Sequence, residues 1–115
     1  MKKFLVMYKM PLSGLDAWQA KPKEETKPEE DRLMQKWQAW MSEHGQNVLE
    51  GYGAGKTKVV KTDGVSDFRN EMMIVNIVQG EDREAVAKMF QTHPHLEIPE
   101  SWIEIMELNV LGMGA

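Results

Sequence analysis

Apolar positions fall into four stretches with strand character and two with helical spacing. Residues 2–10 alternate, with Phe4, Val6, Tyr8 and Met10 on one side. Lys3, Leu5, Met7 and Lys9 share the other side, which is too apolar for a strand facing water. A helix is predicted from Thr26, where Thr26-Lys27-Pro28-Glu29 fits a capping box. Leu33, Trp37, Trp40, Met41 and His44 form its stripe, and Gly45 is its stop. Val48 to Thr62 reads as one strand with a glycine-rich interruption. Asp63-Gly64 signals a turn, and Val65 to Asn70 reads as a wide hairpin loop. Glu71 to Gln79 holds the most continuous apolar run, Met-Met-Ile-Val-Asn-Ile-Val, which predicts a strand buried on both sides. Gly80-Glu81-Asp82 opens a second helix whose stripe is Val86, Met89, Phe90 and His93. Pro94 ends it. A last strand runs from Trp102 to Leu108, and Gly112-Met113-Gly114-Ala115 reads as a loose tail.

The predicted order is β-α-β-β-α-β over residues 1–115 as a single domain. Right-handed crossovers turn that order into an α+β, ferredoxin-like arrangement: a four-stranded antiparallel sheet with two helices on one face. The helices cover only one face, while three strands are apolar on both. That leaves a large sticky face, which predicts a homodimer packed sheet to sheet as a dimeric α/β barrel.

Composition narrows this picture. The 115 residues fit one core, and at this length about two thirds of the unfolded surface can be buried without staples. There is no cysteine, which excludes disulfides, thiol nucleophiles and thiolate metal ligands. The net charge is −4, with both signs interspersed and no basic stripe, so nucleic acid is not expected as a partner. The apolar run near the N-terminus stops at Lys9, short of a signal core, and no stretch nears the ~20 residues needed to cross a bilayer. A cytoplasmic protein without a membrane partner is the expectation. Ten methionines are many for this length, and methionine adapts to irregular cores and varied ligands.

Candidate chemistry is sparse. Gly51 to Thr57 mimics a phosphate-binding loop, but position 50 is Glu50, where the motif needs glycine. Lys58-Val59-Val60-Lys61 then continues as strand, where a helix is required. Pro11 to Glu25 is a long connection, with Ser13 capping a turn at Leu15–Trp18. It reads either as a lid or as a surface excursion pinned by Trp18. His93-Pro94-His95 offers two imidazoles at a helix stop. His95, in the loop, suits a general base, while His93 suits the helix stripe. Glu104 should face away from the helices beside Trp102 and Met106, where its carboxylate needs a partner such as Lys3, Lys9 or Lys56, or a raised pKa. Chelation by His93 and His95 with Glu97 or His44 is a weaker pattern, and no metal or cofactor is assigned.

The opening strand Met1–Val6, Trp37-x-x-Trp40, Asp63-Gly64, and His93-Pro94-His95-Leu96 ahead of Trp102-Ile103-Glu104-Ile105 together resemble the YCII-related (YciI-like) domain. The resemblance spans nearly the whole chain and rests on order and spacing. It implies a dimeric α/β barrel, in some members with a His–Asp dyad in a pocket. Here the first helix has no histidine before His44, and His93 stands where the dyad aspartate would precede proline, so the dyad does not carry over. Asp63-Gly64 is followed by Val65-Ser66 rather than the Pro-Phe of some members. The expectation is a small-molecule pocket near the loop between the second helix and the last strand. His95 and Glu104 would handle protons there, and Tyr8, Trp18, Trp37, Trp40 and His93 would line it. The alternative is a non-catalytic ligand-sensing or dimerisation module.

Overall fold

A computed structural model describes residues 1–112. In chain order it contains β1 (Lys2–Lys9), α1 (Leu12–Gln19), α2 (Lys23–His44), β2 (Val48–Gly53), β3 (Thr57–Lys61), β4 (Gly64–Phe68), β5 (Met72–Gly80), α3 (Arg83–Phe90) and β6 (Trp102–Leu108). Short 3-10 turns, Gly45–Asn47 and Pro94–Glu97, precede β2 and β6. The fold is α+β. Four strands form an antiparallel sheet in the order β2-β5-β1-β6, and β3 and β4 form a separate two-stranded sheet. Of the loose tail expected at 112–115, residues 113–115 lie outside the described residues.

Strand register explains the core. Phe4, Val6 and Tyr8 of β1 face the same way as Val78, Asn76 and Ile74 of β5, their direct partners. Ile105 and Ile103 of β6 complete that face opposite Val6 and Tyr8. Trp40 from α2 and Val86 and Phe90 from α3 close over it, so both helices pack on one side of the sheet. The closeness is set at Gly80. A Cβ there would meet Val86 Cγ2 at 2.4 Å, so glycine is what lets α3 lie this near the end of β5.

The opposite face alternates with the first, and α2 and α3 both lie away from it. It presents Leu5 and Met7 of β1, Val75 and Ile77 of β5, Tyr52 of β2, and Trp102, Glu104, Met106 and Leu108 of β6. The molecule is a slab measuring 51 × 44 × 19 Å, consistent with one helical layer on one sheet. Met106 remains 49% exposed and Leu108 39%.

Several boundaries differ from the sequence expectation. The long connection after β1 is mostly helical. Pro11, not Ser13, sits at the N-cap of α1. Helix α2 begins at Lys23, three residues early, with Pro22 at its N-cap and Glu24 and Glu25 in its first turn. Acidic residues there favour the positive helix end, and Pro28 inside the helix removes one amide donor without ending it. Thr26 therefore does not cap. Its hydroxyl donates back to the Lys23 carbonyl at 3.4 Å, within the helix. The expected single strand Val48–Thr62 is two strands in two sheets. Pairing with β5 stops at Gly53↔Ile74, and after Gly53-Ala54-Gly55 the chain leaves to pair Thr57–Lys61 with Gly64–Phe68. Most of the expected loop 65–70 is thus β4. Gly64 has φ +153°, a conformation that suits glycine, just after the two-residue turn Thr62-Asp63. Gly51 answers to close approach, as a glycine inside a strand suggests. A Cβ there would lie 2.9 Å from the Asn76 side-chain nitrogen.

Candidate functional site

The residues expected to line a pocket mostly meet, but as packed core. Tyr8, on β1, stacks on Trp37 of α2 with centroids 5.5 Å apart, and His93 meets both edge-on at 4.9 and 4.3 Å. Trp40 lies 4.6 Å from His93 and 4.8 Å from Phe90. Trp40 Nε1–H donates to the Met89 carbonyl at 3.2 Å, which ties α2 to α3. Trp18 is elsewhere. Its Nε1–H donates to Glu30 at 3.4 Å, and Lys21 lies over its ring, so it holds the chain between α1 and α2 against α2.

His93 is not on the α3 stripe as expected. The helix ends at Phe90, and His93 is the N-cap of the 3-10 turn Pro94–Glu97. Its Nδ1 accepts the His95 backbone amide at 3.0 Å, so its single proton sits on Nε2, facing the Tyr8 hydroxyl at 3.5 Å. Tyr8 in turn donates to Asn76 Oδ1 at 2.5 Å, and Asn76 Nδ2 donates to the carbonyls of Glu50 and Val75. The result is a polar thread through the apolar core: His93, Tyr8, Asn76, then the backbone of β2. Among the described residues no buried side-chain nitrogen or oxygen lacks a partner. Burial, aided by neighbouring His95, pushes the His93 pKa down to about 3, so the ring is neutral at physiological pH. Burial also holds the Tyr8 phenol well above its ordinary value.

His95 is equally enclosed, at 3% exposure. Its Nε2–H donates to the Lys9 carbonyl at 2.9 Å, and its own carbonyl accepts from Ser101 Oγ at 2.8 Å. Burial lowers its pKa, and its bonds to the backbone of Lys9 and Trp102 oppose that shift without reversing it. The turn is fixed from outside by Glu97, which takes Arg32 and Lys36 of α2 at 2.9 and 3.0 Å. Those cations hold the Glu97 carboxyl below its usual range. Glu97 is thus committed to α2, and His44 packs beside Trp40 at 4.9 Å. Among the described residues no three His, Asp or Glu side chains are grouped to hold a metal ion.

Glu104 lies across the sheet from His95. It pairs in register with Met7 on the open face, while His95 packs 5.4 Å from Tyr8 on the helix face. Glu104 accepts from Trp102 Nε1–H at 2.8 Å and pairs with Lys9 Nζ at 3.1 Å. The Trp102 hydrogen bond, then Lys9, holds its carboxyl below the usual range. The sequence left open a partner, a raised pKa or a merely solvated strand end; Glu104 has Lys9 as its partner and is also partly open to water, at 44% side-chain exposure.

A cavity of about 780 Å³ lies away from all these groups. It opens between α1, the β2–β3 connection, the base of the β3–β4 hairpin and the start of β5. Leu12, Leu15, Phe68, Met72 and Met73 supply the apolar part of its lining, and Gln19, Lys56, Thr57, Asp67, Arg69 and Asn70 the polar part. At its edge Asn70 Nδ2 donates to Thr57 Oγ1 at 2.7 Å, and Arg69 pairs with Asp16 of α1 at 2.9 Å. Two features escaped the sequence reading. Asn76 had a signal: one amide inside the most apolar run of the chain. The cavity had none, because its walls come from segments that read separately as loop and strand.

No family model and no curated protein matches this chain. No helix among the described residues is long and apolar enough to cross a membrane.

Proposed function

We propose that this chain is a non-catalytic, small-molecule-binding module that works as a homodimer. The carrying observation is the cavity between α1 and the β3–β4 hairpin. Its volume falls in the range of small-molecule sites, about 300–1,000 Å³, and its lining is mixed, with Leu12, Leu15, Phe68, Met72 and Met73 beside Gln19, Lys56, Thr57, Asp67, Arg69 and Asn70. His95 and Glu104, the expected acid–base pair, stand on opposite faces of the sheet, and neither lines that cavity. His93 and His95 spend their ring nitrogens on the protein itself. A general base needs reach to a substrate proton, which a 2–3% exposed imidazole lacks.

The dimer part of the reading rests on the open sheet face. Leu5, Val75, Ile77, Met106 and Leu108 lie on the face away from α2 and α3, with Met106 and Leu108 exposed, and this favours face-to-face packing of two copies. The strand order β2-β5-β1-β6 with both helices on one side fits the ferredoxin-like arrangement of dimeric α/β barrels. Kinship with the YCII-related domain belongs to the same proposal and rests on the order and spacing of its sequence pieces.

Two measurements test it. Sedimentation of the wild type should give a dimer and of Met106→Asp a monomer; a wild-type monomer would remove the dimer. A metabolite panel should raise the melting temperature without product formation. Turnover by pure protein, lost in His95→Ala, would instead restore the enzyme reading.

A further inference from the structure

We infer that the α1–hairpin cavity takes an organic monocarboxylate with an aromatic or aliphatic body. This rests on the small-molecule reading above and names the ligand class. The charges around the cavity are uneven. Arg69 is matched by Asp16 at 2.9 Å, and Lys58 of the hairpin by Asp67 at 2.6 Å. Lys56, which lines the cavity, makes no ion pair or hydrogen bond among the described residues. Of the three charged side chains that line the cavity, Asp67 and Arg69 are thus paired, and Lys56 alone among the described residues offers an uncompensated charge beside the apolar part of the wall. A carboxylate on that ammonium forms a charge-assisted hydrogen bond. The Thr57 hydroxyl, which already accepts from Asn70, keeps its own proton to offer a second oxygen.

The wall suits the rest of such a molecule. Met72 and Met73 are unbranched and polarisable, and they mould to flat rings as well as to chains. Leu12 and Leu15 come from α1 and Phe68 from the hairpin, so a bound body would be held between two elements that β1 and β5 anchor separately. A phosphate dianion is a poorer match, because one free cation cannot balance it.

The test uses an isosteric pair, 1-naphthaleneacetate and neutral 1-naphthaleneacetamide, titrated calorimetrically into the full-length protein. The acetate should bind at least roughly tenfold more tightly than the amide, the size of one lost charge-assisted bond. Lys56→Gln, at an exposed position, should erase that difference by weakening the acetate and sparing the amide. Leu15→Asp should abolish binding of both. Equal binding of the two probes, unchanged by Lys56→Gln but lost in Leu15→Asp, would overturn the carboxylate assignment and leave the cavity standing as a site. Absence of binding by both probes, or binding untouched by Leu15→Asp, would overturn the carboxylate and the cavity together.

Discussion

Lys9 touches both faces of the sheet, and the two contacts are opposites. Its carbonyl accepts from His95 on the helix side, while its ammonium holds Glu104 on the open side. On the covered face, polar groups are buried and every one is partnered, as in the His93–Tyr8–Asn76 thread. On the open face, the charged pair is partly in water, Met106 and Leu108 are exposed, and Met7 is buried among its neighbours. The first face is finished by the chain itself. The second leaves Met106 and Leu108 exposed, which is the surface the proposed dimer would cover. The titratable residues on the covered face, Tyr8, His93 and His95, are buried and hydrogen-bonded within the protein.

The sharpest test of that contrast is packing. Trp40→Ala empties the centre of the covered face and should cost about 3–5 kcal/mol in urea unfolding. A loss below about 1 kcal/mol would mean that the core is not where the helices meet the sheet. Acid comes next. The unfolded chain takes up protons at its histidines near pH 6.5, whereas folded His93 waits until about 3 and folded His95 is lowered as well. Between those values the unfolded state binds more protons, so the stability from neutral, buried imidazoles is complete above 6.5 and drains as pH falls. Each histidine should contribute a slope of up to about 1.4 kcal/mol per pH unit. His93→Leu should flatten the curve, and an unchanged slope would mean that the ring titrates normally.

Tyr8→Phe removes only the hydroxyl that links His93 to Asn76 and should cost about 1–3 kcal/mol, since two buried groups lose their partner. The Asn76→Ala/Tyr8→Phe double variant should then cost less than the sum of the singles; strict additivity would dissolve the thread. Smallest is Glu104→Gln. With Glu104 and Lys9 partly exposed, it should stay within about 1 kcal/mol. A larger loss at high protein concentration alone would place Glu104 inside a dimer interface.

Much of the frame was legible in the chain. Alternation in Lys2–Lys9 and Trp102–Leu108 put Phe4, Val6, Tyr8 and Ile105 on one face and Leu5, Met7 and Glu104 on the other, as the register has them. A two-residue period survives any tertiary context that keeps the strand. The helix stripes were legible for Trp37, Trp40, Val86 and Phe90. They overran at His93, because periodicity cannot tell a helix end from the turn that follows it. Helix starts were misread where two local signals competed, at Pro22 and at Thr26-x-x-Glu29. The split of Val48–Thr62 was invisible because a strand's sequence does not name its partner.

The sequence by itself determined which residues are apolar, how they alternate, and hence a two-layer α+β core with one face left bare. The tertiary structure decided what the polar residues are for. Whether a histidine is a base or a buried hydrogen-bonding link depends on burial and on which atoms face its two nitrogens. Those facts join Tyr8, Asn76, His93 and Lys9 across wide separations in the chain. The cavity is of the same kind. Leu15, Lys56, Phe68 and Met73 are unremarkable one by one, and only chain folding brings them to the lining of one cavity.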